Sequence, residues 1–185
     1  RIHGPVVELD APFVAEMARL EMVERFGAAA LTEGYRVTTT VDSRLQSAAD
    51  AAARRTLLAY ERRHGYRGPA ARLDASLPAD PASIAAALRP HPDRGGLVVG
   101  LVETVTERSA IARRRDGVAI ELGWDDLGWA RPALPDDVLG PAPKSAGEVV
   151  APGDVVYLEP LPEGRHRLAQ LPAVAGALVA LEPRD

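Results

Sequence analysis

The sequence predicts a mixed α+β chain, helical in its first half and folded into a small antiparallel β-barrel in its second. Three observations predict this. Apolar residues recur at helical spacing in two stretches before Gly65. From Leu97 onward the runs "LVVGLVETVT", "SAIARRR", "VAIELGW", "DVVYLEPL" and "HRLAQLP" are short and apolar or alternating, as strands are. An irregular connection with prolines at 132, 135, 141, 143 and 152 separates the third run from the fourth. Three strands, a long connection and two more strands between Leu97 and Leu171 form the pattern of a five-stranded barrel of the OB kind.

Each element has a local reason. In "LDAPFVAEMARLEMVERFG", Asp10 is placed to cap a helix and Pro12 suits its first turn. Phe13, Met17, Leu20 and Val23 mark its apolar face, and Gly27 stops it. "YRVTTTV", from Tyr35 to Val41, is β-branched and aromatic and predicts a strand. Asp42 then caps a second helix with Leu45, Ala49, Ala52, Thr56 and Ala59 along one face, ending near Arg63. A Pro- and Ala-rich passage follows, holding a short helix capped by Asp80 with Pro81 at its first position. Asp116-Gly117 signals a hairpin turn between the second and third barrel strands, and "ALVALEP" reads as a last strand.

Composition narrows the function classes. At 185 residues, 46% hydrophobic and 26% charged, the chain reads as folded and globular. A net charge of −4 counts against nucleic acid, since affinity for phosphates rests on excess Lys and Arg. Without cysteine there are no disulfides and no thiolate metal or redox sites. No apolar run approaches the roughly 18 residues of a membrane span, and no signal peptide opens the chain. It starts at Arg1 without Met and ends on "GALVALEPRD", both of which read as cuts through a longer protein.

No catalytic constellation emerges. Lys144 is the single lysine, and it follows Pro141 by three positions, so no Ser-x-x-Lys dyad exists in this chain. "APKS" puts proline where a phosphate loop needs glycine. His3, His64, His91 and His166 share no metal-ligand spacing, and Asp125-Asp126 and Asp136-Asp137 lie in loop-like stretches where adjacent acids are solvated or capping. No cofactor, metal or catalytic residue is expected. The densest basic cluster, Arg113, Arg114 and Arg115, falls at a hairpin tip and is a candidate for binding an acidic partner or lipid headgroups. Trp124 and Trp129 are the candidate stacking platforms, but they flank "DDLG" and so stand beside acids. With Arg131 these residues form the set of candidate interaction residues.

"GYRVTTTVDSRLQSAADAA", "RRHGYRGPA", "LGWARP", "GPAPKSAGEVVAPGDVV" and "LAQLPAVAGALVALEP" follow one another in an order that resembles bifunctional class A penicillin-binding proteins of the Gram-negative 1a type. The resemblance runs from "APFVAEMARLEMVERFG" onward. It implies a parent anchored in the inner membrane by one helix and working on its periplasmic face. Such a parent carries a peptidoglycan glycosyltransferase domain before this region and a penicillin-sensitive transpeptidase mostly after it. It also implies an organisation: 1–34 a linker helix region, 35–63 a transpeptidase framework strand and helix, 64–172 an inserted OB-like domain, and 173–185 the start of a further framework strand. His64, Tyr66 and Arg67 would then mark the junction where the chain leaves the framework. The implied role is a non-catalytic regulatory or docking domain in cell-wall synthesis, with an outer-membrane lipoprotein activator as partner. A passive spacer, a glycan-binding module using Trp124 and Trp129, and a nucleic-acid-binding OB module are the alternatives. A fluorescent penicillin should leave this chain unlabelled; a stoichiometric covalent adduct would show acylation chemistry that the lysine count excludes.

Overall fold

Pro12 has no N–H to lose, so it occupies the first position of helix α1 (Pro12–Phe26) and sets where that helix begins. The computed structural model describes residues 9–73 and 80–176. It divides into two compact units, one built on residues before Arg54 and the other on Arg54–Ala177. With Pro12 at the start, Ala11 and not Asp10 becomes the N-cap, and it offers no side-chain bond. Gly27 closes α1 as expected, at φ 59°, its N–H donating to the Val23 carbonyl at 2.8 Å. A single turn, α2 (Ala29–Thr32), follows.

The expected inner face of α1 is turned outward: Phe13 is 85% and Met17 70% exposed. Val14, Ala18 and Met22, on the adjacent face, instead line a groove of about 450 Å³ opposite Tyr35, Val37 and Val41. Both faces are apolar, and periodicity alone does not choose between them. The Tyr35–Val41 strand is likewise corrected. The segment keeps the alternation of a strand, with Tyr35, Val37, Thr39 and Val41 on the groove side, but it pairs with no strand among the described residues. A strand exists only as part of a ladder. The terminal strand expected from Ala177 to Leu181 lies outside the described residues.

Helix α3 (Ser43–His64) meets expectation at both ends. Asp42 accepts hydrogen bonds from the N–H groups of Arg44 (2.9 Å) and Leu45 (3.1 Å). Gly65 ends the helix at φ 92°, and a Cβ there would stand 2.9 Å from the Arg131 carbonyl oxygen, so only glycine fits. Its inward face differs from the expected one. Leu58 and Glu61 are the buried residues, Thr56 is exposed, and Leu45 is 72% exposed.

The second unit holds β1 (Ala71–Arg72), α4 (Pro81–Ala87), β2 (Val98–Val105), β3 (Ser109–Arg114), β4 (Ala119–Gly123), α5 (Trp124–Leu127), β5 (Asp154–Pro160) and β6 (His166–Ala169). The five expected strands are present, joined by β1, which is too short to show periodicity. β5 is the hub: β2 pairs along one edge, and β1 and β6 share the other. All pairings are antiparallel, and β3 links β2 to β4. The side chains of β5 alternate between two cores, as a strand buried on both faces requires. Val156 and Leu158 pack with Val102, Leu122, Leu127 and Leu168, while Val155 and Tyr157 pack with Leu58, Ile84, Leu88 and Val99.

The expected five-stranded OB-like barrel is corrected to an open six-stranded sheet. No ladder joins β4 to β6 among the described residues. Short helix α5 packs against both strands, with Leu127 fully buried, and the Trp129 indole N–H donates to the Leu168 carbonyl at 3.1 Å. β4 and β6 lie near each other, and side chains rather than a ladder join them.

Asp80 caps α4 as expected, accepting from Ala82 (3.1 Å) and Ser83 (3.0 Å). Its pKa is lowered, chiefly by the Ser83 side chain, and that of Asp42 is lowered by the Leu45 N–H first and the Arg44 N–H second. A carboxyl with a depressed folded pKa stabilises above its unfolded value and ceases to as pH falls through the folded one. Helicity followed by circular dichroism should therefore drop as pH falls below about 4. Asp42→Asn, which caps without titrating, should flatten part of that drop; superimposable profiles would remove Asp42 as a contributor.

Candidate interaction surface and chain junction

Glu61 is a carboxylate at 2% exposure, on the face of α3 that meets the sheet. A buried carboxylate must have its oxygens satisfied. One oxygen accepts from the Ala173 N–H at 2.9 Å, and the other from Arg67 Nη1 at 2.5 Å and Gln170 Nε2 at 2.8 Å. Gln170 also donates to the Gly65 carbonyl (2.8 Å) and accepts from the Arg67 N–H (2.9 Å). Arg67 Nη2 donates to the Leu171 carbonyl at 2.6 Å. Residues 61–67 and 170–173 are thus clasped around one buried charge.

Tyr66 and Arg67, expected at the junction, are members of this region. The Tyr66 N–H donates to the Arg131 carbonyl at 2.7 Å, and its own carbonyl accepts from Ala133 at 3.0 Å. Its ring meets Trp129 edge-on with centroids 6.0 Å apart. The hydroxyl is buried without a partner among the described residues. Burial, and the Asp154 carboxylate second, push this phenol well above its ordinary pKa. His64 stacks on Tyr60 at 3.7 Å and lies 2.9 Å from the Tyr60 carbonyl oxygen through Nδ1.

The candidate interaction residues fall in two places and are tied into the fold. Arg113 grips Glu103 with both nitrogens of its fork (2.6 and 2.9 Å) and caps the Gly117 carbonyl at 2.9 Å. Glu103 is the extra residue where the register of β2 shifts against β3. Arg115 Nη2 donates to the carbonyls of Leu88 and His91, each at 2.9 Å, finishing the C-terminal end of α4. Arg114 pairs with Asp116 at 3.0 Å and is the least committed of the three. Trp124 lies under the Arg108 guanidinium, 4.4 Å from its ring centroid. Arg131 Nε donates to the Gly140 carbonyl at 2.8 Å. The structure brings Tyr66, Trp129 and Arg131 together and leaves the hairpin arginines apart from them.

Glu61 and Gln170 hold these two segments together, and sequence reasoning missed both. The only signal was an acid on α3 three residues after Leu58, one turn along the face that proves buried. Among the described residues no cluster of three or more His, Asp or Glu could hold a metal ion. No described helix is long and apolar enough to cross a membrane.

Fold and surface together define an open antiparallel OB-like sheet with residues 61–67 and 170–173 clasped together. The family described as the penicillin-binding protein OB-like domain matches residues 66–174, and the chain belongs to that family. Penicillin-binding protein 1A of Pseudomonas aeruginosa is 40% identical over 187 residues, covering 99% of this chain and 22% of that protein. The Escherichia coli protein of the same name is 35% identical over 185 residues, again 99% and 22%. The crystal structure of penicillin-binding protein 1A from Haemophilus influenzae superposes with a TM-score of 0.70 at 30% identity, over 92% of this chain and 24% of that one. The chain spans about a fifth of the length of the curated relatives it matches.

Replacing Glu61 by Ala leaves Gln170 and the Ala173 N–H short of an acceptor. The expected loss is about 2–3 kcal/mol, below the roughly 3–5 kcal/mol for a fully buried pair because Arg67 can turn to water. Urea unfolding of Glu61→Ala and wild type measures it; a loss below about 0.5 kcal/mol, the scale of an ordinary surface substitution, would show the clasp to be dispensable.

Proposed function

We propose that this chain is a non-catalytic docking and regulatory domain of a bifunctional peptidoglycan synthase, a parent that polymerises glycan strands and cross-links their peptides. The parent would sit on the periplasmic face of the inner membrane, held by a membrane anchor, with glycosyltransferase and transpeptidase domains adjoining this region. The observation that carries the reading is the family match over residues 66–174, together with whole-chain similarity to proteins named penicillin-binding protein 1A. The clasp supports the insertion part of it. A domain inserted in a host must leave and return at neighbouring points, and Glu61 ties residues 61–67 to 170–173. On this reading residues 64–172 are the insert, residues 1–34 a linker, and 35–63 with 173–185 framework.

An outer-membrane lipoprotein activator is the proposed partner. A domain without chemistry of its own influences a neighbouring active site only through contacts that differ between two states. The glycan- and nucleic-acid-binding readings have less support, since Trp124 is covered by Arg108 and the Trp129 N–H is spent on Leu168. The test is a binding titration of the chain against the cognate activator, with glycan strands and single-stranded DNA as comparisons. Arg113 and Arg115 hold the fold, so the hairpin tip is probed by Arg114→Glu, which should weaken activator binding severalfold through the association rate. Unchanged affinity would remove the tip from the interface, and no binding by wild type would favour the passive spacer.

A further inference from the structure

Beside the clasp lies a cleft of about 400 Å³ whose lining includes Tyr66, Arg67, His91, Arg94, Tyr157 and Gln170 and no carboxylate. Prolines 69, 90 and 92 stiffen its walls. Arg115 holds the His91 carbonyl, and the Tyr157 hydroxyl donates to the Pro92 carbonyl at 3.3 Å, so the wall is anchored from behind. Arg94 opens a tight turn through Gly95 and Gly96, at φ 59° and 79°, closed by reciprocal backbone bonds between Arg94 and Leu97. The Arg54 guanidinium of α3 lies against that turn, 2.9 Å from where a Cβ on Gly96 would begin. Arg54 and Arg94 are exposed. The ion pairs of this unit involve Arg62, Arg67, Arg72, Arg113, Arg114 and Arg165, and none of those among the described residues involves Arg54 or Arg94. The nearest acid in sequence, Asp93, has one carboxylate oxygen turned to the Val99 N–H at 2.9 Å.

Two arginines without an ion pair among the described residues are therefore brought to one turn, and Arg94 also lines a cleft that has no carboxylate in its described lining, in a chain whose net charge is −4. We propose that this cleft binds an extended, acidic peptide segment of a partner protein. Arginine forks recognise carboxylates in two-point contacts, and the cleft's volume is that of a ligand larger than a single small anion. Tyrosine and proline surfaces supply apolar contact along a peptide. A segment seated here touches Tyr66 and Arg67 on the outgoing chain and Gln170 and Leu171 on the returning chain, both halves of the clasp.

The proposal rests on the docking reading above and names its place and chemistry. The probe is a fluorescein-labelled hexaglutamate peptide, titrated by anisotropy into the whole chain at low and physiological salt. Hexaarginine and inorganic phosphate serve as comparisons. Wild type should bind hexaglutamate, with amide shifts confined to Tyr66–Ala70, His91–Leu97 and Ala169–Leu171. The double variant Arg54→Glu/Arg94→Glu should bind about tenfold more weakly, while Arg167→Glu, a charge reversal on β6, should not. Absence of hexaglutamate binding, equal loss in both variants, or phosphate binding as tight as the peptide's would each overturn it. The activator titration separates the two readings. An activator that binds wild type and the double variant equally would leave the docking role standing and remove this cleft from it.

Discussion

One buried carboxylate organises the second unit. Glu61 has its charge away from water and is held there only because Arg67, Gln170 and the Ala173 N–H reach it from two distant stretches of chain. Its partners are in turn bonded to Gly65, Leu171 and each other, so no member moves without exposing a polar group. An apolar side chain at the same place would bury comfortably but would not specify which segments meet. The ends of the sheet are brought together by polar satisfaction, and its interior by apolar packing around β5.

Arginine supplies most of the polar framework, and its geometry explains why. A guanidinium carries five donors in a flat fork and keeps its charge when partly buried. Arg113 spans a bulged strand residue and a turn carbonyl, Arg115 closes two carbonyls at the end of α4, and Arg67 joins a carboxylate to a carbonyl. Lys144, a point charge on a flexible stem, could not substitute at these places. The same fact bears on function. In the dense arginine run, Arg113 and Arg115 have their donors used by the fold, whereas Arg54 and Arg94 make no ion pair among the described residues.

The open sheet illustrates a related trade. OB-like strands curl toward closure, and here β4 and β6 approach each other without a ladder among the described residues, while α5 packs against both and Trp129 is bonded to β6. The aromatic residues that a ligand-binding barrel would present for stacking are turned to this structural task. Tyr66, wedged against Trp129, extends the task to the junction, so that the aromatic cluster and the clasp form one continuous support.

Several features were legible in the sequence because their causes are local. Asp42, Asp80 and Gly65 mark helix ends through hydrogen bonds and backbone angles formed within a few residues. The alternation of β2 to β6 records which side chains face a core, and the absence of a Ser-x-x-Lys dyad follows from a single lysine. Resemblance across the chain pointed to the family that the match over residues 66–174 establishes. What the sequence left open depends on partners far away along the chain. The exposed face of α1 and the open edge at α5 were decided by which surfaces met, and periodicity does not encode that. Glu61 with Gln170, and Arg54 with Arg94, are 109 and 40 residues apart in sequence. Only the folded chain sets Glu61 against Gln170 and Arg54 against the turn that Arg94 opens, because a charge's partners are chosen by distance in space.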